Sequence, residues 1–126
     1  MDIFDDEWMA ATESALEDLP PVEGADAVID FVISGSPAGK TTIAVTLRDG
    51  RLTSMMVGRS DAVELVISMS YDVAVAILTG EMSSDVGFMR GAVKVEGPHE
   101  RWLLDLRPVR RSALAALAPV MADTTV

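Results

Sequence analysis

The chain contains no cysteine, which excludes disulfides, thiol catalysis and cysteine-ligated zinc. It has a single histidine, His99, set in the turn context "GPHER". As a general base that imidazole would need a positioned partner, and neither a Gly-x-Ser-x-Gly elbow nor a Ser/His/Asp order can be identified around it. His99 therefore reads as a solvated turn residue. Aromatic residues make up only 5% of the chain, so the interior is not built on stacked rings. No apolar run reaches the roughly 18 residues needed to span a membrane, and the opening "MDIFDDEW" lacks the basic region of a signal peptide. A cytoplasmic protein with no transmembrane segment is the expectation. Basic residues are also scarce, ten against twenty acids for a net charge of −10. Such a charge argues against nucleic acid as a partner and against docking on anionic lipid by Coulomb attraction.

What is present is aliphatic. Hydrophobic residues form 49% of the 126, with eight methionines, and a chain of this length reads as one domain able to bury roughly two thirds of the surface its unfolded form exposes. Methionine-rich interiors deform easily, which suits a pocket as well as a core. The acids are uneven: residues 1 to 26 hold nine of the twenty and no Lys or Arg, leaving eleven acids against ten bases elsewhere. The acidic arm reads as a solvated helix face rather than a binding determinant.

In "FDDEWMAATESALEDLPP", Phe4, Trp8, Ala11, Ala15 and Leu19 recur at helical spacing, Asp5, Asp6 and Glu7 fall in the first turn, and Pro20-Pro21 stops the helix. An acidic helix over about 4–19 is predicted. "AVIDFVI" is a strand run, and "TTIAVTLRDGRLTSMMV" alternates to Asp49-Gly50, a favoured hairpin turn. A two-residue loop would pair Leu47 with Leu52, set Arg48 opposite Arg51, and place Leu52, Ser54 and Met56 on the face of Ile43, Val45 and Leu47. Val63, Leu65, Ile67 and Met69 alternate as a fourth strand. Ser70 caps a helix from about Tyr71 to Thr79, stopped by Gly80; Ser83 or Ser84 caps a short helical turn through Phe88 that ends at Gly91; "AVKVE" is a fifth strand. Trp102, Leu103 and Leu106 lean helical. A last amphipathic helix over about 109–118 carries Leu114 and Leu117 on one side and Arg110 and Arg111 on the other, ended or kinked at Pro119. The order predicts an α+β fold: a five-stranded, mostly antiparallel sheet covered on one face by helices.

Catalytic and metal chemistry find little support. "GSPAGKTT" ends like a phosphate loop, yet only three residues separate Gly35 from Gly39 and a strand follows where a helix N-terminus is required. Asp5-Asp6, Glu81 with Asp85, and Asp105 lack the spacing of a calcium loop. No metal and no cofactor is expected.

The segments "VELVISMS", "AVAILTGE", "GFMRGAVKVEG" and "ERWLLDLRPV" resemble, in order, a pattern of sterol carrier protein (type two) domains. The resemblance covers roughly residues 27–118 and is most specific over 63–97. It implies that the sheet and helices enclose an apolar tunnel for fatty acyl chains, sterols or similar lipids. It also implies that Phe88 and Met89 stand beside the cavity and that Gly91 is the glycine before the last strand. Arg90 stands where the family usually has Gln, a candidate cation near the ligand's polar end or else a residue that simply points to solvent, and Ala92 where it usually has Lys.

The expected function is noncatalytic binding or transport of a hydrophobic small molecule or lipid. Candidate liners are Met55, Met56, Met69, Met82, Phe88, Met89, Trp102, Leu103, Leu106, Leu114 and Leu117, each of which also fits a plain core position. One alternative is an accessory or dimerisation module with a collapsed pocket, a homodimer or protein partner docking through the terminal helices. Another is a small lipid-directed isomerase or hydrolase using a buried carboxylate such as Asp30 or Asp105.

Overall fold

Asp5 begins the first helix by accepting the Trp8 N–H at 2.7 Å, and α1 runs Asp6–Ala15 with Asp6 and Glu7 in its positive first turn. The computed structural model describes all residues, 1–126. The helix is shorter than the 4–19 that apolar spacing predicts. Phe4 sits at φ 66, outside helical space, and the chain turns at Leu16, where Glu17 and Asp18 would have placed two negative charges at the negative helix end. Leu16 and Leu19 remain buried all the same, so the apolar period outlasts the helix.

Three strands follow: β1 (Ala27–Ser36), β2 (Gly39–Arg48) and β3 (Arg51–Val57). Asp49 and Gly50 both take positive φ, the condition for the tight turn whose twist matches a hairpin. Arg48 and Arg51 do face each other across it, both exposed. Beyond Leu47–Leu52 the register slips, so that Thr46 pairs with Ser54 and Thr53 is the extra residue of a bulge. This corrects the predicted alternation. The bulge turns Met55, not Met56, to the face of Val45, because one inserted residue exchanges the two faces of a strand.

The sheet order is β3-β2-β1-β4-β5, where β4 is Leu65–Ser70 and β5 is Lys94–Glu96. β4 starts two residues later than its alternation suggests, and Val63 is exposed. Every neighbouring pair is antiparallel except β1 with β4. The parallel pair requires residues 58–64 to cross the sheet's outer face. Gly58 N–H donates to Thr42 O, Ser60 N–H and Oγ–H donate to Asp30, and Glu64 N–H donates to Val28 O. Asp30 is 4% exposed because this loop covers it.

On the other face lie α1, α2 (Tyr71–Leu78), α3 (Ser84–Met89), a π-helical turn (Arg101–Asp105) and α4 (Arg107–Ala122). Ser70 and Ser83 cap α2 and α3 by accepting the N–H of Val73 and of Val86. Gly87 lies so close to β5's lead-in that an added Cβ would stand 2.8 Å from Val93 Cγ2. α4 exceeds the predicted 109–118 at both ends. Pro119 lies within it; the carbonyl this frees, on Ala115, is on the solvent face, where water can satisfy it, while Leu117 and Met121 anchor the inner face. The two chain ends meet: Ile3 N–H donates to Thr125 O, and Asp2 bridges Thr125.

Asp30→Ala leaves Ser60 without its acceptor and is expected to cost about 2–3 kcal/mol, as for hydrogen bonds to a charged group. Urea denaturation should show a lower midpoint at unchanged slope. A loss below about 0.5 kcal/mol would mean that the crossover loop is held elsewhere.

Candidate functional site

The side chains that β1 turns inward, Ile29, Phe31 and Ile33, register with Val45 and Ile43 of β2 and with Leu65, Ile67 and Met69 of β4. Strand alternation thus makes one continuous apolar face. α2 lays Ala74, Ile77 and Leu78 over it, α1 contributes Trp8 and Thr12, and α4 contributes Val109, Ala113, Leu114 and Leu117. These layers do not close fully. Between them lies a pocket of ≈ 200 Å³ lined by 24 residues, of which 21 are hydrophobic.

The three polar liners are Thr12, Ser84 and Arg110. Thr12 is 2% exposed and its hydroxyl has no hydrogen-bond partner; the indole N–H groups of Trp8 and Trp102, which also line the pocket, have none either. Arg110 is held on several sides. It donates from Nε to the Trp102 carbonyl at 3.0 Å, from Nη2 to the Leu103 carbonyl and to Asp85 at 3.2 Å each, and from Nη1 to Ser84 Oγ. Its Cζ stands 4.8 Å from the centre of the Trp102 ring, a cation–π geometry, and Trp102 meets Phe31 edge to face at 5.9 Å. Burial pushes the guanidinium below its ordinary pKa, opposed by the attraction and hydrogen bond of Asp85. Asp85 also takes Arg107 Nη2 at 2.9 Å, so one carboxylate serves two guanidiniums.

Six of the residues singled out from sequence come together around the pocket: Met55, Met69, Trp102, Leu106, Leu114 and Leu117. The others lie elsewhere. Met56 is 54% and Met89 76% exposed, the first turned out by the β3 bulge and the second at the outer end of α3. Arg90 caps that helix at the surface, and the cation in the pocket wall is Arg110 instead. Phe88 packs edge to face with His99 at 5.7 Å, and Leu103 packs against the core without reaching the pocket. Met82 borders a second groove, on the far side of Ile77, Leu78 and Leu114, which both spaces share.

The sequence reading missed Arg110, Ser84 and Thr12. A signal was there: Leu106, Arg110, Leu114 and Leu117 follow one another at helical spacing. Starting the last helix at residue 109 hid that stripe and put Arg110 on the solvent side. Neither proposed catalytic carboxylate borders the pocket, since Asp30 lies on the outer sheet face and Asp105 is exposed. His99 is exposed and bonds the Val95 carbonyl at 2.8 Å. No group of three or more acidic or histidine side chains gathers to hold a metal, and no helix is long and apolar enough to cross a membrane.

A five-stranded sheet roofed on one face over an apolar pocket defines a class of small α+β binding domain. The model of the SCP-2 sterol transfer family matches residues 7–103, and the chain belongs to that family. Among solved structures, a crystal structure of sterol carrier protein 2 superposes with TM-score 0.74 at 13% identity, over 93% of this chain and 98% of the other. Palmitated SCP2L2 from Aedes aegypti gives TM-score 0.59 at 16% identity, over 91% and 88%. The sec-alkylsulfatase Pisa1 from Pseudomonas sp. gives TM-score 0.50 at 22% identity, over 72% of this chain but only 13% of its own. At these identities the likenesses concern the fold. Among curated proteins there is no significant match.

Thr12→Val keeps the shape of a buried side chain whose hydroxyl has no partner. The substitution is expected to raise the stability of the ligand-free protein by about 1 kcal/mol, read by thermal denaturation. A loss of that size would show that a water satisfies the hydroxyl.

Proposed function

We propose that this protein binds and carries a hydrophobic small molecule in the pocket between sheet and helices, without catalysing a reaction on it. The observation that carries this reading is the wall itself, 21 hydrophobic residues of 24 with no carboxylate or imidazole among them. Family membership and a palmitated structural relative support the same direction.

Size favours a flexible chain over a rigid ring system. The ≈ 200 Å³ of this pocket is below the range of about 300–1,000 Å³ that holds drug-sized ligands. A single acyl chain can thread such a space, bending at its own torsions while Met55 and Met69 adjust around it. Each buried methylene is worth about 0.8 kcal/mol, so a chain of about ten gains on the order of 8 kcal/mol before ordering and association costs. Ile77, Leu78 and Leu114 border both this pocket and the neighbouring groove, and a ligand entering from the groove passes them.

Displacement of a fluorescent fatty acid by unlabelled dodecanoate is expected to be saturable. Ala113→Trp, which adds a large ring at the pocket wall, should weaken probe binding by at least about tenfold while shifting the melting temperature only a few degrees. The reading fails if neither acyl nor sterol ligands bind up to their solubility limits; an interaction module with a collapsed pocket would then take its place. Full probe affinity in a folded Ala113→Trp protein would place the ligand outside this pocket.

A further inference from the structure

Arg110 is the one charged side chain in the pocket wall, and its donors are not all used. A guanidinium carries five N–H groups in a fixed fork. Nε–H is taken by the Trp102 carbonyl, both Nη2 donors by Asp85 and the Leu103 carbonyl, and one Nη1 donor by Ser84 Oγ. The second Nη1 N–H has no protein acceptor. Ser84 Oγ accepts from Arg110 and its own proton meets none. Two unassigned donors therefore stand next to each other in a wall whose other polar groups are the Thr12 hydroxyl and the Trp8 and Trp102 indole N–H groups.

The charge count agrees. Asp85 is the only carboxylate paired with this cluster and is shared by Arg107 and Arg110, which leaves one positive charge in excess, with Arg111 adding further repulsion. The Arg110 side chain is only 12% exposed, so solvent screens that charge weakly. Arg107 Nε is also buried without a partner. One excess positive charge in a cluster beside a buried apolar space is a costly arrangement for the empty protein and a favourable one for a ligand that brings the missing negative charge.

We propose that Arg110 and Ser84 form an anion-binding subsite in the pocket wall, and that the ligand is a single-chain amphiphile whose anionic head, a carboxylate or a phosphate ester, accepts from the second Nη1 N–H and the Ser84 hydroxyl. The proposal rests on the reading of the pocket as a site for a hydrophobic ligand. It adds to that reading a preference among chains of equal length. The five contacts of Arg110, to two carbonyls, a hydroxyl, a carboxylate and a ring, keep the subsite formed before the ligand arrives, so little ordering remains for binding.

Calorimetric titration of the intact protein with dodecanoate, dodecyl phosphate and dodecanol, each below its micelle concentration, separates the two claims. Dodecanol tests the pocket, and the anions test the subsite. At least one anion is expected to bind about tenfold or more tightly than the alcohol, as for a charge-assisted bond in a poorly solvated site, and the tighter anion identifies the head. Arg110→Gln should lower the anion's affinity more than the alcohol's and close the gap between them, while Arg110→Lys retains most of the preference. Ser84→Ala, which leaves the guanidinium in place, should lower anion affinity by about threefold or more and covers the case in which Arg110→Gln does not fold. Equal binding of alcohol and anions by the unaltered protein overturns the subsite and keeps the pocket. So does a preference that survives both Arg110→Gln and Ser84→Ala. Absence of binding by all three probes overturns the pocket reading and the subsite with it.

Discussion

Strand β1 pairs antiparallel with β2 on one side and parallel with β4 on the other, and a parallel neighbour cannot be reached by a tight turn. The chain must leave by the β2–β3 hairpin and return across the sheet to the far side of β1. Residues 58–64 make that return over the outer face, tied to β2 at Thr42 and to β1 at Asp30 and Val28. With the crossover on one face, all the helices lie on the other. The position of the pocket follows from this one connection, because the inward side chains of β1, β2 and β4 meet only when β4 is set beside β1 in register.

The pocket is what remains when four helices and a π-helical turn cover a twisted sheet with side chains of modest size. α1, α2 and α4 each contribute a narrow apolar stripe, and Ala74 and Ala113 stand where a larger residue would have filled the gap. The β3 bulge contributes as well. By inserting Thr53 it brings Leu52 and Met55 to the same side, an arrangement that strict alternation forbids, and so extends the wall along the edge strand.

Arg110 ties together segments that are distant in sequence. Ser84 and Asp85 begin α3, Trp102 and Leu103 lie in the π-helical turn, and Arg110 itself is one turn into α4. Its acceptors are two carbonyls of the π-helical turn, the Ser84 hydroxyl and the Asp85 carboxylate, the last shared with Arg107. The polar part of the wall is held by a residue type whose planar fork can meet several acceptors at once. The same cluster explains why the chain tolerates a buried cation without an equal number of carboxylates: the charge is spread over carbonyl dipoles and the face of Trp102.

The local elements were legible in the sequence because their causes are local. Ser70 and Ser83 as caps, Gly80 and Gly91 as stops, Asp49-Gly50 as a tight turn, and the alternation of Leu65, Ile67 and Met69 all act within a few residues, and each is found where its chemistry places it. The motifs between residues 63 and 97 also carried the family. What the sequence left open depends on partners far along the chain. Whether Met55 or Met56 faces inward is set by a bulge, which pairing with β2 decides; whether Met89 is covered depends on how α3 lies against the sheet. Arg110 reads as a surface cation until Ser84, Asp85 and Trp102, eight to twenty-six residues away, are brought around it. The sequence alone determined the fold class and the apolar character of the interior, since these rest on composition and short-range periodicity. Tertiary structure decided which apolar residues border empty space and which cation joins them, since a cavity is defined by what fails to touch, and spacing along a chain does not record that.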